Sequence, residues 1–287
     1  MALRRALSLA LCLLAPAAEA APALWEVRDA DSRVLLFGSV HALPPGLDWR
    51  TPLFDDALQS AHLVYFETDV GPLGTAAIVF KVIAQQFQGG GEPWLDRLTP
   101  EQTAKLAAAA EAIGLTLEEA GAMRPWVLAM QITGAALAGE DEAAFDMANG
   151  VETQLQWELP KERKGYLETP GEQFDLIAGG TTEQQIIQLF STIEDAGLAE
   201  TPSLADLARD WVEGRPDELA LEARSADEAA MLDLILTQRN RNWLPQIAAM
   251  LRDNDENLVI TGAAHLAGPD NVLDLLEDAG YTVRRMQ

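Results

Sequence analysis

Short apolar runs closed by glycine or proline mark both ends of the chain, whereas the middle carries the three-to-four-residue spacing of helices. Leu24-Trp25-Glu26-Val27-Arg28 and Arg33-Val34-Leu35-Leu36-Phe37 read as strands, and Asp29-Ala30-Asp31-Ser32 between them predicts a hairpin turn. After a Pro44-Pro45-Gly46 break, Thr51-Pro52 opens a short helix, with Thr as its cap and Pro at its first position. Leu63-Val64-Tyr65-Phe66 is apolar on both faces, as buried strands are, and ends in Glu67-Thr68-Asp69. The C-terminal end repeats the plan. Leu258-Val259-Ile260-Thr261 reads as a strand, Gly268-Pro269-Asp270 as a break, and Val272, Leu275 and Leu276 as a helix face that Gly280 stops. Tyr281-Thr282-Val283 forms a last strand.

Between the ends the chain predicts helices, with Gly165-Tyr166-Leu167-Glu168 as the one strand among them. Pro125 begins one helix, Thr182 begins another with Ile186, Leu189, Phe190 and Ile193 on one face, and Ala226 to Gln238 forms a third. Pro245 is expected to kink or break the helix shortly afterwards. Val127 to Leu137 is apolar but too short to span a bilayer, and reads as a buried helix. Gly89-Gly90-Gly91 is a loop; no Gly-Lys-Ser/Thr follows, so it is not a phosphate loop. The expected class is α/β (α+β): a central mixed β-sheet built from two strand–Gly-x-x-His–helix–strand units, with a large helical insertion over about residues 72–250. The chain shows no low-complexity linker, so residues 21–287 are expected to form a single domain.

The first 20 residues change the setting rather than the fold. Arg4-Arg5, an apolar stretch from Ala6 to Leu14, and Ala18-Glu19-Ala20 predict a secretory signal peptide cleaved after Ala20, and hence a periplasmic or secreted protein. Cys12, the chain's one cysteine, lies within that segment, so the mature protein has no disulfide to use. The net charge of −25 argues against nucleic acid and against anionic lipid as partners. No stable membrane span is expected after the signal is removed.

The candidate chemistry gathers at strand ends. Gly38-Ser39-Val40-His41 and Gly262-Ala263-Ala264-His265 each follow a predicted strand, and they use two of the chain's three histidines. His41, His265 and Glu67 all lie at or just past the C-terminal end of a strand, where open α/β sheets bind ligands. The glycines would let the backbone turn or approach closely, and an imidazole so placed serves as a metal ligand or as a base. A nearby carboxylate ligates the metal too, or fixes the tautomer. Arg239 extends the stripe Leu232, Ile235, Leu236, which calls for an anionic partner, either substrate or Glu67 itself. Asp69 is a weaker candidate on the same strand, His62 reads as structural, and Arg241 as exposed. Ser39 beside His41 is a poor nucleophile, since nothing forces the two side chains to touch. No Gly-x-Ser-x-Gly elbow is present.

Together these pieces resemble the TraB/GumN family, related to the Tiki metalloproteases. The matching segments are Leu36-Phe37-Gly38-Ser39-Val40-His41, Phe66-Glu67-Thr68-Asp69, Pro125-Trp126, Leu167-Glu168-Thr169 with Gln173, Arg239-Asn240, and Gly262-Ala263-Ala264-His265-Leu266 with Gly268. The resemblance implies a mixed sheet surrounded by helices and a divalent-metal-dependent hydrolase acting on a peptide or small-molecule substrate. His41, Glu67 and His265 would be the metal ligands, and His41, Glu67, Arg239 and His265 the catalytic set. Two nitrogens and one oxygen suit manganese, cobalt or zinc without choosing among them. Two other readings stay open: a metal-free hydrolase in which Glu67 and His41 activate water, and a non-enzymatic binder of haem or metal.

Overall fold

The computed structural model describes residues 20–71, 74–76, 79, 81, 93–138, 145–197, 203–223 and 225–287. The expected signal segment and the Gly89-Gly90-Gly91 loop fall outside these. Strands β1 (Leu24–Arg28), β2 (Arg33–Ser39), β3 (Val64–Phe66), β4 (Lys164–Tyr166), β5 (Asn257–Gly262) and β6 (Thr282–Arg285) form one mixed sheet in the order β4-β3-β5-β2-β1-β6. The β4–β3, β3–β5 and β5–β2 pairings are parallel; β1 runs antiparallel to both β2 and β6. The predicted hairpin is there, its turn held by Asp29, whose Oδ1 accepts the Ser32 N–H at 2.9 Å. All six residues of β5 are buried, as expected for a central strand covered on both faces.

Two helices make the repeated crossovers. Helix α1 (Pro52–Ser60) follows β2, starts with Pro52, and is capped by Thr51, whose hydroxyl accepts the Phe54 N–H at 3.1 Å. It buries Phe54, Ala57 and Leu58 against Phe37, Phe66, Leu258 and Ile260. The second crossover helix (Val272–Asp278) is capped by Asn271 and buries Val272, Leu273 and Leu276 against Val34, Leu36 and Val259 on the other face. Gly280, at φ +95°, ends it as expected. The repeat therefore places one unit's helix on each side of the sheet, and inserts β5 between β2 and β3.

Among the described residues the further helices with assigned bounds are, in chain order, α2 (Pro100–Ala112), α3 (Leu117–Ala122), α4 (Pro125–Ala138), α5 (Val151–Glu158), α6 (Pro170–Ala178), α7 (Thr182–Gly197), α8 (Leu204–Val212), α9 (Ala226–Leu232) and α10 (Gln238–Arg252), and the second crossover helix is numbered α11. Helices α5 and α8 join α1 on its face through Val151, Leu155, Ala208 and Trp211; α10 joins α11 through Trp243, Ile247, Met250 and Leu251. Helices α2, α3, α4 and α7 close a separate core around Trp94, Leu106, Leu128 and Leu189. The apolar segment Val127–Leu137 lies in α4, where Val127, Leu128, Ala129 and Ile132 are buried but Met130 is exposed. Among the described residues no helix is long and apolar enough to cross a membrane.

The expected break at Pro245 does not occur. Helix α10 runs through it to Arg252, because buried Trp243 before it and Ile247, Met250 and Leu251 after it anchor one continuous face on the sheet. That packing outweighs the lost hydrogen bond. The third predicted helix also differs, since α9 ends at Leu232 and a π turn (Asp233–Thr237) leads straight into α10.

Candidate functional site

Parallel registration of the three strands brings the sequence-predicted residues together. Ser39 pairs with Gly262, and Phe66 with Ile260, so the ends of β2, β5 and β3 lie side by side. Glu67 follows β3 directly, His41 lies in the loop after β2, and His265 sits on a short 3₁₀ turn (Ala263–Leu266) after β5. Arg239 enters from α10 two residues past the π segment, a widening common at functional sites. Asp69 is not among them: β3 has ended, and its Oδ1 accepts the Gly71 N–H at 2.8 Å. His62 and Arg241 are exposed.

The two motif glycines do different work. At Gly262 (φ −50°, ψ 136°) the backbone suits any residue, but a Cβ there would stand 3.3 Å from Glu67 Oε1, 3.4 Å from His41 Nε2 and 3.7 Å from His265 Cδ2. The hydrogen of Gly262 thus marks the point on which the three side chains converge. At Gly38 a Cβ would instead meet the Ala263 Cα at 3.1 Å, so that glycine lets the two motif loops touch.

Glu67 is buried and held at both oxygens: Gly262 N–H donates to Oε1 at 2.7 Å, and Arg239 Nη2 donates to Oε2 at 2.6 Å. Burial alone would raise its pKa, but the surrounding His265, Arg239 and His41 side chains and the Gly262 N–H outweigh that and lower it to about 2. Arg239 has all five N–H donors engaged. Nε and Nη2 grip Glu168 at 2.8 and 2.9 Å, Nη2 also reaches Glu67, and Nη1 donates to the Ile235 carbonyl at 3.1 Å and to His265 Nε2 at 3.0 Å. Glu168 further accepts from Trp243 Nε1 at 2.9 Å and from Gln173 Nε2 at 2.7 Å. An arginine saturated in this way orients Glu67 and offers no free N–H to a substrate oxygen.

The histidines are held differently. His265 is buried, with its ring against Trp243 at a centroid distance of 4.4 Å. Asn240 Nδ2 donates to the Asp270 carbonyl at 3.0 Å, so its Oδ1 faces His265 Nδ1 at 2.6 Å and accepts the proton there. Nε2 then accepts from Arg239, which defines a neutral ring. Burial lowers its pKa to about 4. His41 is 58% exposed, and its Nδ1 donates to Glu152 Oε1 at 3.0 Å. The Glu152 charge raises His41 to about 9.

Glu152, Asn240 and the hub formed by Glu168 and Trp243 were given no role from the sequence. Glu152 carried no sequence signal of its own: α5 buries Val151, Glu152, Leu155 and Gln156 alike, and the docking of the helix is what sets that burial. Ser39, expected to be a poor nucleophile, is buried and hydrogen-bonded to Glu152.

The chemistry of the donor set fits a divalent cation: two imidazoles and a carboxylate surround a cradle that one methyl would fill. Buried Glu67 and Glu168 share the one guanidinium that faces them, and buried Glu152 faces His41. Among the described residues, though, no group of three or more His, Cys, Asp or Glu side chains is drawn close enough to hold an ion as it stands, and His265 Nε2 is taken by Arg239. The sequence profile of the TraB/PrgY/gumN family matches residues 23–285. Neither the curated proteins nor the solved structures contain a match.

Proposed function

The chain belongs to the TraB/PrgY/gumN family, and from that premise and the site we propose an exported hydrolase of the Tiki type, acting on a peptide or small-molecule substrate, with manganese, cobalt or zinc held by His41, Glu67 and His265. The observation that supports this reading is the convergence of His41 Nε2, Glu67 Oε1 and the His265 ring on the Gly262 hydrogen. Such a cation, when bound, polarises a carbonyl and makes water a better nucleophile. The chain's own residues do the rest. Arg239 and the Gly262 N–H fix the Glu67 carboxylate. Asn240 keeps the His265 proton on Nδ1 and leaves Nε2 as the acceptor. His41 is the exposed member: with a cation bound its Nε2 would be a ligand, and without one the same nitrogen carries a proton to or from the substrate.

A second reading is metal-free hydrolysis by the same residues, and the Arg239–His265 contact favours it, since that N–H sits on the nitrogen a metal would need. Metal analysis of the mature protein beside a His41→Ala/His265→Ala double variant, followed by peptide and ester hydrolysis with and without chelator, separates the two. Stoichiometric metal lost in the variant, with activity restored by one ion, supports the first. Activity that survives exhaustive chelation supports the second. No hydrolysis, with a Soret band on haem titration that His41→Ala abolishes, overturns both in favour of a binder.

A further inference from the structure

His41 and His265 end up in one site under unlike restraint. His265 is enclosed by Arg239, Asn240 and Trp243, whereas His41 leaves more than half its side chain in solvent. An exposed imidazole with nothing to hold it samples several rotamers and both tautomers. Glu152 prevents this. Its Oε1 accepts from His41 Nδ1 at 3.0 Å and also from the Ser39 hydroxyl, while the carboxyl itself is buried at the N-terminus of α5.

The backbone sets this contact. Val151 N–H donates to the Val40 carbonyl at 3.1 Å, and a Cβ on Gly150 would fall 2.0 Å from the His41 carbonyl oxygen. Only glycine lets α5 dock so closely on the loop that carries His41. Ser39 and His41, two residues apart, then grip one carboxylate oxygen from the same side. The Ser39 hydroxyl, which has no place in the hydrolytic scheme, gains one here as the anchor of Glu152.

We propose that Glu152 is a positioning residue for hydrolysis: anchored by Ser39, it keeps the His41 proton on Nδ1 and aims Nε2 at the Gly262 point where Glu67 Oε1 also ends. This rests on the hydrolase reading, with or without a metal, because in both cases Nε2 is the working atom. Asn240 holds His265 by the same nitrogen, so the two rings present the same edge to the centre.

The test has two arms. In the metal-free protein, long-range ¹H–¹⁵N spectra resolve the three histidines without any need for activity. Wild type is expected to show a slowly exchanging His41 Nδ1 proton shifted downfield. In Glu152→Ala that proton exchanges rapidly and the ring averages over tautomers, with His265 unmoved. Should Glu152→Ala fail to fold, the isosteric Glu152→Gln is read instead, and the His41 Nδ1 proton moves upfield as the acceptor loses its charge. In the second arm, kcat falls roughly 10–100-fold in Glu152→Ala at nearly constant KM, less in Glu152→Gln, and least in Ser39→Ala. His41 resonances identical to wild type in the variants, or an unchanged kcat in Glu152→Ala, overturn the proposal. Absence of hydrolysis from wild type overturns the hydrolase reading alone, and the spectra still decide whether Glu152 positions His41.

Discussion

Replacing Gly262 with alanine separates function from stability. The backbone at Gly262 is extended, at φ −50° and ψ 136°, so alanine meets no conformational penalty and loses less entropy on folding, a gain of about 0.4–1 kcal/mol. Against this, the methyl lies 3.3 Å from Glu67 Oε1 and 3.4 Å from His41 Nε2, tighter than ordinary contact by a few tenths of an ångström. The needed shift is small enough for His41 to give by a few tenths of an ångström while keeping its bond to Glu152, and for the Glu67 carboxylate to do so between its two donors, so the compression is shared. The two effects are of similar size, and the variant should unfold within about 1 kcal/mol of wild type, a Tm change of roughly 2–4 °C at most. Activity should respond quite differently. The methyl occupies the point on which the three side chains converge, and displacing a reacting group by about 1 Å costs on the order of 10²-fold, or ~2.7 kcal/mol of transition-state stabilisation. Calorimetric unfolding beside kcat/KM for the best peptide or ester substrate reads both quantities on one preparation. A variant with wild-type kcat/KM and wild-type Tm would refute the convergence argument, since a methyl at the working centre could not go unnoticed.

Other outcomes follow from the same geometry. Gly38→Ala, whose Cβ meets the Ala263 backbone at 3.1 Å, should lower stability through a forced shift of the motif loop, measurable by urea unfolding; an unchanged midpoint would contradict the close approach. Arg239→Met leaves Glu67 and Glu168 buried without their cation and should cost about 3–5 kcal/mol in the same assay. Glu67→Gln should abolish hydrolysis while keeping the fold, and full activity would remove Glu67 from the mechanism. His265 is depressed from 6.5 to about 4 in the fold, so its contribution, on the order of 3 kcal/mol, is complete above pH 6.5 and is lost as pH falls toward 4. Glu67 acts in the same direction below pH 4.5. His41 is raised to about 9, so its contribution is present below pH 6.5 and fades through 9, weakly because its side chain is largely solvated. Stability should therefore peak near pH 6.5, and a Tm that rises on acidification from 6.5 to 4.5 would contradict this.

Local chemistry made the elements legible, and long-range pairing did not. Thr51-Pro52, Asp29 to Ser32, Gly280 and the apolar run of β5 carry their structure in a few neighbouring residues. The convergence of His41, Glu67 and His265 rests on β5 entering between β3 and β2, a parallel pairing that no short-range pattern encodes. Strand-end positions made it an expectation; the register turns it into distances. Glu152 was hidden because a carboxylate near a helix start reads as a favourable surface charge, and only docking on Val40 buries it. Pro245 misled for the opposite reason, since the rule it obeys in isolation is outweighed by anchors on both sides.

The placement of β5 also bears on the order in which the protein can be made. A ribosome delivers β2 and β3 early, yet neither pairs with the other; each borders the strand that arrives last but one. Until Asn257–Gly262 emerges, both carry open hydrogen-bonding edges and the hydrophobic faces that flank them. A chain cut short before Asn257 would therefore lose the middle of its sheet, Gly262 and one of its two site histidines together, rather than a dispensable margin. Supplying Asn257–Gln287 in trans offers a way to reassemble sheet and site in a single step.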